Sequence, residues 1–288
     1  MIKIGTIKEL WRYPVKGMAG EQIQRCQIDS TGLQGDRCFA VRDVLRNEIQ
    51  SCKFRPALLR CIARYEDTNT GTGEQDVEIH FPDGSCLSLN DNDLTAKLSA
   101  LLGHESIVEA LSEQTSMNAF RRYQANKQIL LEELNATFTR EAGEAGPDFS
   151  NPSERFLNYV TLPGSYFLVS PLHILTTASL AHCKQLLPAA DWDLRRFRPN
   201  MVIDTLSQFI GLTEQAWVGK KLRIGDLEIN CNDTAIRCGA VTREQQGLPF
   251  DKSLLRTIVK DTGQNLGIYG DIIGEGQIQA GDSVFLCD

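Results

Sequence analysis

A chain of 288 residues, 42% hydrophobic and 23% charged, has room for one large core or two intimate ones, and its composition excludes a disordered or fibrous protein. With 37 acidic against 30 basic residues the formal charge is −7, which argues against nucleic-acid binding, because neutralising phosphates needs a basic face. Nine cysteines are too dilute for a disulfide scaffold and point to reduced thiols. No apolar run approaches the roughly 18 residues of a membrane span, and the start Met1-Ile2-Lys3-Ile4-Gly5 lacks the layout of a secretory signal, so a cytoplasmic protein without membrane attachment is expected.

In chain order, the first chemistry-bearing stretch is Tyr13-Pro14-Val15-Lys16-Gly17, where a lysine sits in turn-forming sequence instead of on a solvated helix face. Arg37 follows in Gly35-Asp36-Arg37, just before apolar Phe39-Ala40-Val41. Val77, Ile79 and Phe81 alternate up to Pro82-Asp83-Gly84-Ser85, and Leu87 and Leu89 alternate away, which reads as a β-hairpin. Leu94, Leu98, Leu101 and Leu102 predict a short amphipathic helix, with Asn92 as N-cap and Gly103 as its stop. A second helix is expected within 120–134, and the Gly/Pro/Asn/Asp/Ser-rich stretch 141–153 reads as a connecting loop.

Thr177 is expected to cap a further helix that ends before Pro188. Arg198 lies in Phe197-Arg198-Pro199-Asn200. The strand pattern then returns on both sides of Gly225-Asp226 and again around Gly281-Asp282, so the C-terminal third is expected to be mostly sheet. Arg237-Cys238 closes the second of these strands.

These residues admit two readings each. Lys16, Arg37 and Arg198 beside turn glycines and prolines suit an anion pocket, because a guanidinium fork matches phosphate or carboxylate; they also suit structural ion pairs at strand ends. A guanidinium next to Cys238 favours the thiolate, the soft ligand of a heavy redox metal, yet a single cysteine in a β-rich protein is commonly a small buried hydrophobe. Asp36 and Asp233 are acid–base candidates or turn residues. Cys61, Cys86 and Cys231 lie among apolar neighbours and read as packing, and neither Cys-x-x-Cys pairs nor zinc-type spacings of His80, His104, His173 and His182 appear.

Taken together, Leu10 to Gly17, Gly32 to Arg37, Arg198-Pro199-Asn200, Trp217-Val218-Gly219-Lys220 with Leu222 to Asp226, and Arg237-Cys238 resemble, in order, the MOSC family, named for the C-terminal domain of the molybdenum cofactor sulfurases. The resemblance is to bacterial reductases of N-hydroxylated compounds and mitochondrial amidoxime-reducing components. It implies a mainly β (α+β) fold: an N-terminal β-barrel-like domain over 1–120, a helix and linker over 121–153, and a MOSC β-barrel over 154–288.

The resemblance further implies a molybdenum–molybdopterin cofactor with Cys238 as metal ligand and catalytic centre. Lys16, Gly17, Arg37, Arg198 and Asn200 would hold its phosphate and pterin edge, and Ser170, Arg237 and Tyr269 would line the site. The implied reaction is reduction of N-hydroxylated bases or related small molecules. No Cys-x4-Cys-x2-Cys run is present, so electrons are expected from a separate ferredoxin-like protein or flavoprotein. The alternatives are a sulfur carrier with a Cys238 persulfide and a non-catalytic cofactor binder; the pyridoxal phosphate of the sulfurases belongs to a different domain. Where relatives continue with Asp-Pro-x-Thr-Gly, this chain has Gly239-Ala240-Val241-Thr242-Arg243.

Overall fold

Ile4, Ile7 and Leu10, three residues apart, all enter the core from the strand over residues 2–12 because its register shifts between Lys3 and Gly5 and between Ile7 and Glu9, and this strand closes a barrel. The structure, a computed structural model, describes residues 1–66, 76–123, 127–137 and 153–287. Seven strands close the ring in the order β12 (Met201–Thr205), β11 (Leu172–Thr176), β15 (Asn265–Ile273), β14 (Leu227–Ile236), β13 (Lys221–Ile224), β17 (Ser283–Cys287) and β1 (Ile2–Arg12), which pairs back onto β12. Only β11 and β12 run parallel; Leu10 opposite Met201 marks the closing register. Strand β2 (Glu21–Ile23) pairs with β1 outside the ring. The barrel therefore takes chain from both sides of the 121–153 segment, because its core of Ile4, Ile174, Met201, Ile229 and Ile268 needs β1 to be sealed.

Three small sheets complete the β-structure. They are β10 (Ser106–Ala110), β5 (Phe39–Asp43) and β6 (Glu48–Ile49); β16 (Gly276–Gln279), β3 (Arg25–Asp29) and β4 (Gly32–Leu33); and β7 (Ile62–Tyr65), β8 (Val77–His80) and β9 (Cys86–Ser88). Helix α1 (Leu94–Leu102) covers the second core with Leu94 and Leu98, beside Val41, Leu58 and Ile79. Helices α2 (Lys127–Ala136), α4 (Thr177–Leu186) and α5 (Lys252–Asp261) enclose a third core around Leu134, Cys183 and Leu255, and α3 (Glu154–Asn158) lies at its edge through Phe156. The molecule is thus mostly β with five short helices among the described residues.

Several expectations are corrected locally. The Gly84 and Gly225 turns join paired strands, but Gly281-Asp282 does not: β16 pairs with β3 while β17 pairs with β1 and β13, because Ile278 and Val284 both enter the barrel core from different strands. Asp93, not Asn92, precedes α1, and no side chain caps it. Thr176, not Thr177, caps α4 through the Ser179 N–H at 3.1 Å, while the Thr177 hydroxyl donates to Asp204. The helix expected over 120–134 begins only at Lys127, after a 3-10 turn over Met117–Phe120. Of the expected loop 141–153, all but Ser153 lies outside the described residues.

Cys61 and Cys231 are buried, whereas Cys86 is exposed; its Sγ lies 3.5 Å from His80 Nε2, on the outer face of the β8–β9 hairpin near Glu78. Helix α5 interrupts the expected C-terminal sheet, with Asp251 as its N-cap and Leu254, Leu255 and Ile258 facing inward.

Candidate functional site

A crevice of about 170 Å³ opens where the turn after β1, the loop before β5, the approaches to β11 and β12, the end of β14 and the middle of β15 meet. Its wall includes Lys16, Gly17, Arg37, Ser170, Arg198, Asn200, Arg237, Cys238 and Tyr269. Residues separated by more than 250 positions are brought together because β1 and β15 belong to one closed sheet.

Asp36 organises the cationic end. Buried at 5% exposure, it accepts from the Tyr13 N–H at 2.7 Å and the Asn200 amide at 2.9 Å, and it pairs with Arg37. These contacts make Asp36 an anchor for the Tyr13 backbone, Asn200 and Arg37. Tyr13 forms a platform: the guanidinium of Arg198 lies 4.3 Å from its ring centroid and that of Arg37 5.1 Å. Both arginines have left-handed backbone, with φ of +56° and +53°. Such a conformation costs on the order of 1 kcal/mol for a non-glycine residue and is held only where surrounding contacts fix it, a pattern concentrated at functional sites. Gly17, with φ +86°, lets the backbone turn between Lys16 and Cys52; a Cβ there would stand 3.3 Å from the Cys52 nitrogen.

Lys16 donates to the Tyr166 carbonyl at 2.9 Å, and burial together with Arg37 pushes its ammonium down to about 7. The Arg237 guanidinium donates to the carbonyls of Leu266 and Phe197 and to His173, so it fixes the wall instead of reaching into the crevice. His173 Nδ1 lies 3.2 Å from the Arg198 carbonyl, which only accepts, so Nδ1 carries the proton and Nε2 receives Arg237. Burial, then Arg237, hold this imidazole neutral, well below the ordinary histidine range. Ser170 ties the loop before β11 to the Gly270 carbonyl at 2.7 Å. Tyr269 packs on His173 at 5.7 Å, and its hydroxyl has no hydrogen-bond partner among the described residues.

Cys238 stands two residues beyond the end of β14 and is half-buried, packed against the third core and lining the crevice. Asp233, in contrast, is exposed, accepts from the adjacent Thr234 N–H and stands away from the crevice wall. Sequence reasoning missed Cys52, Lys53, His173 and Arg196, all on the wall. Cys52-Lys53 repeats the cysteine-beside-cation signal of Arg237-Cys238 and was legible in principle; His173, within an apolar strand, was not.

Six cationic side chains line the crevice (Lys16, Arg37, Lys53, Arg196, Arg198 and Arg237), and no carboxylate does so among the described residues. In a protein of charge −7 this concentrates basic side chains beside a soft sulfur donor, although Arg37 is paired with Asp36 and Arg196 and Arg237 are turned to backbone carbonyls. The fold and site therefore define a β-barrel protein with a thiol-bearing basic crevice. Residues 4–122 match the MOSC N-terminal beta barrel domain and residues 163–285 the MOSC domain, and the chain belongs to the MOSC family, whose domains bind molybdenum cofactor.

Among solved structures, the YuaD protein of Bacillus subtilis is similar over 99% of this chain and 98% of its own, at 10% identity and a TM-score of 0.45. YiiM of Geobacillus stearothermophilus and YiiM of Escherichia coli are 15% and 18% identical over 41% of this chain, each with a TM-score of 0.31. The matched part spans 55% of either YiiM chain. Comparison with curated proteins gives no match. Among the described residues no helix is long and apolar enough to cross a membrane.

Proposed function

We propose that this protein binds a molybdenum–molybdopterin cofactor in the Cys238 crevice and reduces N-hydroxylated bases or related small molecules. The observation that carries the reading is the combination of two half-buried thiols, Cys238 and Cys52, with six basic residues and, among the described residues, no carboxylate on a single wall. The donor set fits the group: a thiolate suits the metal, and Lys16, Arg37 and Arg198 suit a phosphate. The crevice, at about 170 Å³, is smaller than the roughly 300 Å³ of small ligand sites.

When bound, the cofactor supplies two-electron abstraction of oxygen from an N–OH group. The chain's own residues do the rest. Cys238 would ligate the metal, Lys16, Arg37, Arg198 and Asn200 would hold the phosphate and pterin edge, and Asp36 keeps Arg37 and Asn200 in register. Tyr269, with its free hydroxyl, is placed to donate a proton to a departing oxygen, while neutral His173 braces Arg237 behind the site. Electrons would come from a separate ferredoxin-like protein or flavoprotein.

The test is molybdenum and pterin content, by elemental analysis and pterin fluorescence, of wild type and Cys238→Ala made in a cofactor-competent host. Near-stoichiometric metal in wild type and none in a folded variant is expected. A variant that keeps full metal removes Cys238 as ligand, and absence of metal from both moves the reading to a Cys238 persulfide that carries sulfur.

A further inference from the structure

The geometry points to a second cavity as the substrate chamber of this site, taking an anionic oxygen group, carboxylate or phosphate, on Lys53, Arg122 and Arg243. This inference rests on the reading above and adds to it the charge class of the substrate.

The cavity has a volume of about 620 Å³ and is bounded by residues of the 43–56 stretch, by Arg122 and Tyr123, by Leu130 and Glu133 of α2, and by Arg243. It shares Ser51 and Lys53 with the Cys238 crevice, so Lys53 stands on the common wall. Lys53 is 7% exposed. Its ammonium lies 5.4 and 5.6 Å from the ring centroids of Phe54 and Phe156, and among the described residues no acceptor or carboxylate meets it. Aromatic faces only partly replace the water that burial has removed from a cation. Burial accordingly lowers its proton affinity, and the nearby Cys238 sulfur works the other way.

Two further cations face the cavity. Arg122 packs on the same Phe156 ring at 5.1 Å and donates its Nε to the Phe156 carbonyl, with the charges of Glu48 and Glu133 acting on it. Arg243 has a buried Nε without a hydrogen-bond partner among the described residues, and its Nη2 reaches the Thr137 carbonyl at 3.5 Å. Glu48 and Glu133 offset part of the Arg122 charge, whereas among the described residues no carboxylate pairs with Lys53 or Arg243. Asp43 is committed to Arg46, His104 and the Arg46 N–H; Glu48 accepts from the Tyr123 N–H; Glu133 lies on the exposed side of α2. The cations assigned above to the cofactor phosphate, Lys16, Arg37 and Arg198, line the crevice and not this cavity. A substrate with an anionic tail in the chamber would project its N-hydroxylated head past Lys53 toward Cys238.

The experiment compares 4-carboxybenzamidine, benzamidine 4-phosphate and unsubstituted benzamidine as product analogues. Calorimetric titration into the full chain, with and without bound molybdenum, gives affinity; reduction of the corresponding N-hydroxybenzamidines by the loaded enzyme gives KM. Anionic analogues are expected to bind about tenfold or more tightly than the neutral one, as suits a charge-assisted contact, and the carboxylate and phosphate arms separate the two sources of charge. Lys53→Met and Arg122→Met should abolish this preference, and Lys53→Arg should retain it. Equal affinity for all three analogues in wild type overturns the inference, as does a preference that survives both substitutions. Loss of molybdenum from Lys53→Met overturns it differently, by making the cavity part of the cofactor seat. Wild type devoid of metal defeats the reductase reading alone, since anion preference is still read by titration.

Discussion

Lys16→Met offers a quantitative test of the anion crevice. Burial, reinforced by Arg37 and Arg198, takes the Lys16 ammonium from the ordinary 10.5 to about 7. At about 1.4 kcal/mol per pH unit the displacement corresponds to at most about 5 kcal/mol of strain on the charged form, which partial solvent access lowers to about 2 kcal/mol. Between these two values the unfolded chain keeps a proton that the folded protein has released, so raising the pH from about 7 toward 10 stabilises the folded state.

Urea melts of cofactor-free protein at about pH 7 and about pH 9 should therefore show wild type gaining about 1–2 kcal/mol relative to Lys16→Met, which has no proton to lose. An added anion such as inorganic phosphate should remove the difference, because it restores the ammonium. Stability profiles that run parallel in the two proteins would refute the argument that Lys16 is a destabilised cation awaiting a partner.

Arg198→Ala removes one phosphate donor and one left-handed arginine; the protein should fold and hold its cofactor about tenfold more weakly, measured as molybdenum retained on dialysis. Glu109→Gln leaves Arg42 buried without its carboxylate, which it now meets at 2.6 Å through two nitrogens, and leaves one amide oxygen where two carboxylate oxygens serve Arg42 and the Tyr166 hydroxyl. A loss of about 3 kcal/mol in urea is expected, and a change below about 1 kcal/mol would show that the pair is not what holds the Tyr166 loop. Gly267→Ala places a Cβ 2.6 Å from both His173 Nε2 and the Ile174 carbonyl at φ +83°, so a cost of about 3 kcal/mol is expected, with the anion affinity of the crevice reduced as Arg237 loses its brace. Wild-type stability in that variant would mean that β11 and β15 are free to part.

How much of this was legible before folding follows from how local each signal is. The hairpins at Gly84 and Gly225 and the helix stop at Gly103 were readable, because a positive φ and an apolar period involve only neighbouring residues. Helix α5 was missed although Leu254, Leu255 and Ile258 carry its period, since the strands on both sides dominate that region. The pairing of β16 with β3 and the exposure of Cys86 had no local mark at all, because partner choice in a sheet depends on long-range register.

The same division runs through the site. By itself the sequence determined which residues are chemically able to act: arginines and a lysine in turns, glycines where backbone approaches, and one cysteine after a guanidinium. Only the tertiary structure decided which of these share a wall, that Asp233 stands outside it, that Arg237 is turned to backbone carbonyls, and that Lys53 is buried with no carboxylate partner among the described residues. The reason is physical. Residue chemistry is a property of the chain, whereas desolvation and the sum of neighbouring charges exist only once β1, β12 and β15 have closed the barrel around them.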